Sequence, residues 1–190
     1  MIVAILKNDM PAKDLAQSRW KPICLIFLSI LAFSACTFGF DPSVPITVVV
    51  STPAGGDTAI VTRVIDGDTI DVTINGQPFT VRYVGINTPE RDEVCYSEAR
   101  NANAALVQGQ TVRLVRDVSE TDRFGRLLRY VYVGDTFVNQ ALVEQGWAEA
   151  VSYPPDTAYL ATLQQFEIEA RDAQRGCHVT GIFNDGSNTR

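Results

Sequence analysis

Residues 64–90 read V-I-D-G-D-T-I-D-V-T-I-N-G-Q-P-F-T-V-R-Y-V-G-I-N-T-P-E, and this stretch decides the fold. Two segments rich in β-branched residues, Thr69–Ile74 and Phe79–Ile86, flank Asn75-Gly76, a dipeptide that tolerates positive φ and signals a hairpin. Asp66-Gly67-Asp68-Thr69 is a second tight turn, whose aspartates can bond local amides. It joins the hairpin to a strand over Ala59–Asp66. Working outward, Thr111–Val115 and Leu127–Val133 supply two more strands.

Helices are predicted from a Ser97 cap through Val107, ended by Gly109, and over Val138–Gln145, stopped by Gly146. A longer one starts after Pro154-Pro155 at an Asp156 cap and ends at Gly176. Its Tyr159, Leu163, Phe166, Ala170 and Ala173 recur at helical spacing, a stripe for core packing. Five strands with about three helices inserted and appended predict an α+β chain: a five-stranded OB-fold β-barrel, a fold suited to nucleic acid.

The strand ends carry chemistry. Arg82 lies in an apolar strand, where an unpaired guanidinium is costly, so it needs a protein carboxylate or a bound phosphate. Asp-Gly-Asp-Thr alone is most often only a turn, but Asp68 directed inward would be a hard oxygen ligand of the kind calcium prefers. Asp66 is expected to shape the turn. Pro89 fixes a bend that presents Glu90 at a strand end, where taken alone it reads as a solvated loop glutamate. Asp122-Arg123-Phe124-Gly125-Arg126 adds a second planar, bidentate donor in Arg126.

The ordered set of these motifs, from about Thr58 to Phe183, resembles a staphylococcal nuclease (thermonuclease) domain. The resemblance implies a calcium-dependent hydrolase that cuts DNA and RNA and leaves 3′-phosphate ends. Asp68, Asn87 and the Thr88 carbonyl would hold Ca2+, Glu90 would handle the water, and Arg82 and Arg126 would stabilise the transition state. Arg123, Phe124 and Tyr153 would contact substrate. The chain departs from the family at four places, one of them Arg123, where the family often has lysine. Asn87 stands where the family has a second aspartate ligand, which predicts a weaker metal site. Phe124 lacks the hydroxyl of a family tyrosine but can stack on a base, and Val151 replaces another tyrosine.

The remaining sequence bears on location and partners. Arg19, Trp20 and Lys21 precede an apolar run, Ile23 to Ala35, that fits a secretory signal and is short for a membrane span of ~20 residues. Met10 is an alternative start. Phe33-Ser34-Ala35-Cys36 resembles a lipobox, so Cys36 is a candidate for lipidation, although Phe33 departs from the usual aliphatic residue. An uncleaved anchor and a signal cut nearby are the alternatives. Residues 1–36 are thus read as an export segment, 37–57 as a flexible linker with a stray strand possible at Ile46–Val50, 58–184 as the folded domain and 185–190 as a tail. The expected location is extracytoplasmic, on the cell surface or secreted.

With Cys24 in the apolar run and Cys36 lipidated, Cys95 and Cys177 remain, either as a disulfide or as two buried thiols. The whole chain carries a net charge of −6; residues 1–36 account for +2, which leaves −8 and no lysine for the rest. Nucleic-acid binding must then come from local arginines and a metal, and be weak and salt-sensitive. That balance and Asn87 keep a second class open, a non-catalytic OB module that binds nucleic acid or protein. His178 reads as a surface or packing residue. One domain on a tether needs no partner, so a monomer is expected.

Overall fold

The computed structural model describes residues 55–184. The expected export segment with Cys36, the linker through residue 54 with its Ile46–Val50 patch, and the tail 185–190 lie outside the described residues.

Strand β1 (Asp57–Val64) begins one residue before the expected domain start and pairs antiparallel with β2 (Thr69–Ile74), which pairs antiparallel with β3 (Gln77–Tyr83). The β2–β3 hairpin turns as its sequence requires, with φ 50° at Asn75 and 82° at Gly76. In β1 the inward positions are Ala59, Val61 and Val64. A bulge between Val61 and Arg63 resets the alternation, so Val64 and not Arg63 enters the core.

After the short β4 (Ile86–Asn87) and helix α1 (Tyr96–Val107), β5 (Thr111–Val115) returns to the other edge of β1, and β6 (Leu127–Val133) pairs with β5. Closure comes from β6 lying parallel to β3, with Val81, Arg82 and Tyr83 opposite Leu127, Leu128 and Arg129. The five strands therefore form a closed barrel, as expected for an α+β OB fold. The strand after residue 77 is interrupted at Tyr83, and the expected continuation to Ile86 is a separate element.

β7 (Thr136–Phe137) leads into α2 (Val138–Glu144), and β8 (Glu149–Ala150) pairs antiparallel with β4, with Ile86 opposite Ala150 and Asn87 opposite Glu149. α3 (Leu160–Asp172) packs chiefly against α2 and β8; its buried residues are Leu163 and Ala170, and Leu163 joins the hydrophobic core. Tyr159 meets the barrel edge-on, its ring 4.7 Å from Tyr130 and 5.0 Å from Phe137. Ala173, predicted as the last residue of that stripe, is exposed beyond the helix end.

Two expected caps are corrected. Ser97 lies inside α1, which starts after Cys95 in a left-handed conformation (φ 72°) without a side-chain cap. Asp156 does not cap α3; it accepts the amide N–H groups of Val118 and Ser119 at 2.9 and 2.7 Å, tying the loop after β5 to the Pro-rich turn. At Asp156 a long-range demand outranks local capping. Cys95 and Cys177 form a disulfide that joins the start of α1 to the short 3-10 helix Gly176–Thr180. His178 is a packing residue, buried at 4 % exposure against Phe183.

Candidate active site

Arg82 and Asp68 meet at the mouth of the barrel, because Asp68 ends the turn before β2 and Thr69 is the register partner of Arg82. The Arg82 Nε lies 3.1 Å from Asp68 Oδ1. Its Nη1 donates to the carbonyls of Tyr83 (2.5 Å) and Ile86 (2.8 Å), and its Nη2 to Asn87 Oδ1 at 3.0 Å. The anion that the buried guanidinium required is thus Asp68 itself.

Asp68 is equally engaged. Oδ1 also accepts the Thr69 hydroxyl at 3.0 Å, and Oδ2 accepts the amide (2.9 Å) and hydroxyl (3.0 Å) of Thr88. A carboxylate has about four acceptor positions, and these contacts use them. Thr88, expected to contribute its carbonyl, makes its observed bonds as a donor. Gly67 permits this arrangement for lack of space: a Cβ there would stand 2.7 Å from Thr88 side-chain atoms. Asp66 shapes the turn as expected, accepting the Asp68 amide at 3.0 Å. Burial, and then the Asp68 charge, push the Asp66 carboxyl up to about 6.

Glu90 stands at the exposed end of Asn87-Thr88-Pro89. Its amide donates to Glu93 Oε2 at 2.8 Å, which steadies the turn. Partial desolvation and the Asp68 charge raise its carboxyl above the ordinary range, while Arg82 and Arg126 oppose them. The four groups therefore share one electrostatic neighbourhood.

A cleft of about 430 Å³ opens beside them, lined by Arg82, Asp122, Arg123, Phe124, Arg126 and Tyr153 among others. Arg126 reaches it from the turn before β6. Asp122 holds that turn: Oδ1 accepts the amides of Phe124 (2.9 Å) and Arg126 (3.0 Å), and Oδ2 takes Arg126 Nε at 2.7 Å. Burial pushes the Asp122 carboxyl up, but the bonds from Arg126 and Phe124 outweigh it and hold it below its usual range. Phe124 is 69 % exposed, with the Arg123 and Arg126 guanidinium carbons 4.7 and 5.5 Å from its ring centre. Tyr153 lies across the cleft, its ring centre 6.0 Å from Arg82.

Three positioning groups escaped the sequence reading. Asp122 carried a readable signal, an aspartate opening a turn that ends in Gly125. Asn139 in α2 accepts the Val131 amide and donates to the Val84 carbonyl, a buried strut with no sequence signature. Glu149 accepts Asn87 Nδ2 at 3.2 Å across the β4–β8 pair.

Calcium fits this donor set in kind: a carboxylate, an amide oxygen and a backbone carbonyl are hard ligands. Burial first, and then the Asp68 charge, raise the carboxyls of both Asp66 and Glu90. Among the described residues no three acidic, histidine or cysteine side chains converge to hold a metal unaided. Oxygens from Asn87, the backbone, water or substrate would have to complete the shell.

A five-stranded OB barrel that lines one cleft with Arg82, Arg123 and Arg126 defines the chain as an OB-fold protein with a cationic cleft. Residues 80–178 match the family described as staphylococcal nuclease homologue. The chain is 37 % identical over 130 residues to a thermonuclease of Staphylococcus intermedius, covering 65 % of this chain and 77 % of that protein. It is 36 % identical over 144 residues to a micrococcal nuclease of Shigella flexneri, covering 69 % and 79 %. With endonuclease YncB of Bacillus subtilis it shares 39 % over 120 residues, covering 59 % and 56 %. The chain belongs to the staphylococcal nuclease family.

Proposed function

We propose that the protein is an exported, calcium-dependent nuclease that hydrolyses DNA and RNA and leaves 3′-phosphate ends. The observation that carries this reading is the convergence of Arg82 and Arg126 on one cleft beside Asp68, with Glu90 under the influence of all three. Arg82 and Arg126 present planar donors to the non-bridging oxygens of a phosphodiester, where charge grows in the transition state. Glu90, raised above the usual carboxylate range, is suited to accept a proton from the attacking water. Asp68, Asn87 and the Thr88 carbonyl would hold Ca2+, which supplies positive charge to polarise the phosphate and orient water.

Since Arg82 is fully engaged at rest, an incoming phosphate must displace part of its contact with Asn87 or Asp68. Arg123, Phe124 and Tyr153 would steady the neighbouring nucleotides, with Phe124 as a stacking platform. The disulfide supports an oxidising, extracytoplasmic location, reached through the export segment, with the protein either held at the membrane by lipid on Cys36 or secreted. A monomer suffices for this chemistry. The full engagement of Asp68 favours one alternative, a binding module that holds nucleic acid without cutting it.

The test incubates the purified protein with single-stranded DNA in calcium or chelator, beside Glu90→Gln. Calcium-dependent cleavage that vanishes in the variant, with 5′-hydroxyl ends open to kinase labelling, is the expected result. Retained DNA binding with no cleavage at millimolar calcium would establish the binding module instead.

A further inference from the structure

Glu149 is a buried carboxylate to which the mechanism above gives no task. It is 5 % exposed and faces Asn87, 1 % exposed, as the direct partner across the β4–β8 ladder. Asn87 Nδ2 donates to Glu149 Oε1 at 3.2 Å, while Asn87 Oδ1 accepts Arg82 Nη2 at 3.0 Å. The amide therefore lies between an anion and a cation. Only one orientation suits it, since a flip would set donor against donor at Arg82 and acceptor against acceptor at Glu149. A carboxylate hydrogen-bonded behind a ligand also makes the ligand atom more basic.

We propose that Glu149 is a positioning residue that works with Asn87 as one unit, the amide oxygen in front and the negative charge behind. The charge that an aspartate at position 87 would bring is supplied here from position 149. This rests on the reading of Asn87 as a calcium ligand. It also gives a reason for an amide at 87: aspartate there would lose the N–H donor and set acceptor against acceptor at Glu149 in a buried site. The two positions are thus coupled, and changing either alone defeats the site.

The experiment compares wild type, Asn87→Asp, Glu149→Gln and the double variant by two readouts. One is urea unfolding in chelator; the other is binding of Ca2+ alone, followed by calorimetry and by displacement of terbium luminescence. Asn87→Asp is expected to unfold at lower urea than wild type and to gain no calcium affinity. Glu149→Gln keeps an acceptor oxygen but loses the charge, and its calcium affinity should fall roughly tenfold or more. In the double variant the glutamine amide can donate to Asp at 87, so both stability and calcium affinity should return to at least the wild-type level. That reciprocal rescue is what a merely space-filling Glu149 would not give. Additive unfolding effects, or an Asn87→Asp protein that gains calcium affinity without losing stability, would overturn the pairing. A wild-type protein that binds no calcium would overturn the cofactor reading and this inference with it, whatever the unfolding cycle shows.

Discussion

The two arginines of the cleft sit in opposite surroundings. Arg82 is 8 % exposed and bonded on every nitrogen, to Asp68, Asn87 and the carbonyls of Tyr83 and Ile86. The Arg126 side chain is 32 % exposed, rides on a turn and has one acidic partner, Asp122. A buried ion pair depends on each partner for the other's neutrality, whereas a rim pair adds little stability. One guanidinium is thus part of the fold and the other is carried by it, although both point to the same cleft.

Replacing each arginine should separate these roles. Arg82→Leu leaves Asp68 buried without its cation, and should cost about 3–5 kcal/mol in urea unfolding as well as nearly all cleavage. Arg126→Ala should lower kcat about 100- to 1000-fold, yet change unfolding free energy by no more than about 1 kcal/mol. A large stability loss in Arg126→Ala would erase the contrast. A smaller effect is expected from Phe124→Ala: binding of single strands should weaken by about 1–3 kcal/mol per stacked base, read as KM, with kcat and folding kept.

The smallest effect lies at His178, away from both arginines, and serves as a control. Burial, and secondarily the nearby Arg171 charge, lower its pKa below the usual value. The folded state therefore favours the neutral ring, and the unfolded chain binds the extra proton. The His178 contribution should be intact above the unfolded pKa of about 6.5 and decline as pH falls through it, while Asp66, raised to about 6, acts in the opposite sense in both proteins. Glu120 and Asp122, with lowered pKa values, lose their contribution only in the more acidic carboxylate range. Unfolding of His178→Gln across this window should show a flatter profile than wild type.

Much of the barrel was legible because its signals are local. Asn75-Gly76 fixes the hairpin, and β-branched residues place the strands within two residues, except that β3 ends three residues before the expected Ile86. Arg82's need for an anion could be read from its apolar strand, and Asp68 and Asn87 could be named through the family resemblance, as metal ligands and not as its partners. What each residue touches could not. Asp156 had every local mark of a helix cap, but its carboxylate serves the backbone of residues 118 and 119. Glu149 is flanked by alanines and gives no hint that it faces Asn87, a contact spanning 62 positions. Such pairings are set by sheet register, which no short window contains.

The parallel seam between β3 and β6 has a consequence for latency. Arg82 belongs to the first of these strands, and Arg126 immediately precedes the second. Until the seam zips, each guanidinium is tethered to a different half of the chain, and no cleft exists for a phosphate to enter. An incomplete or unravelled polypeptide therefore holds only half of the anion clamp. Hydrolytic capability arrives together with barrel closure, so a nascent chain in contact with its host's own nucleic acids would be inert until folded.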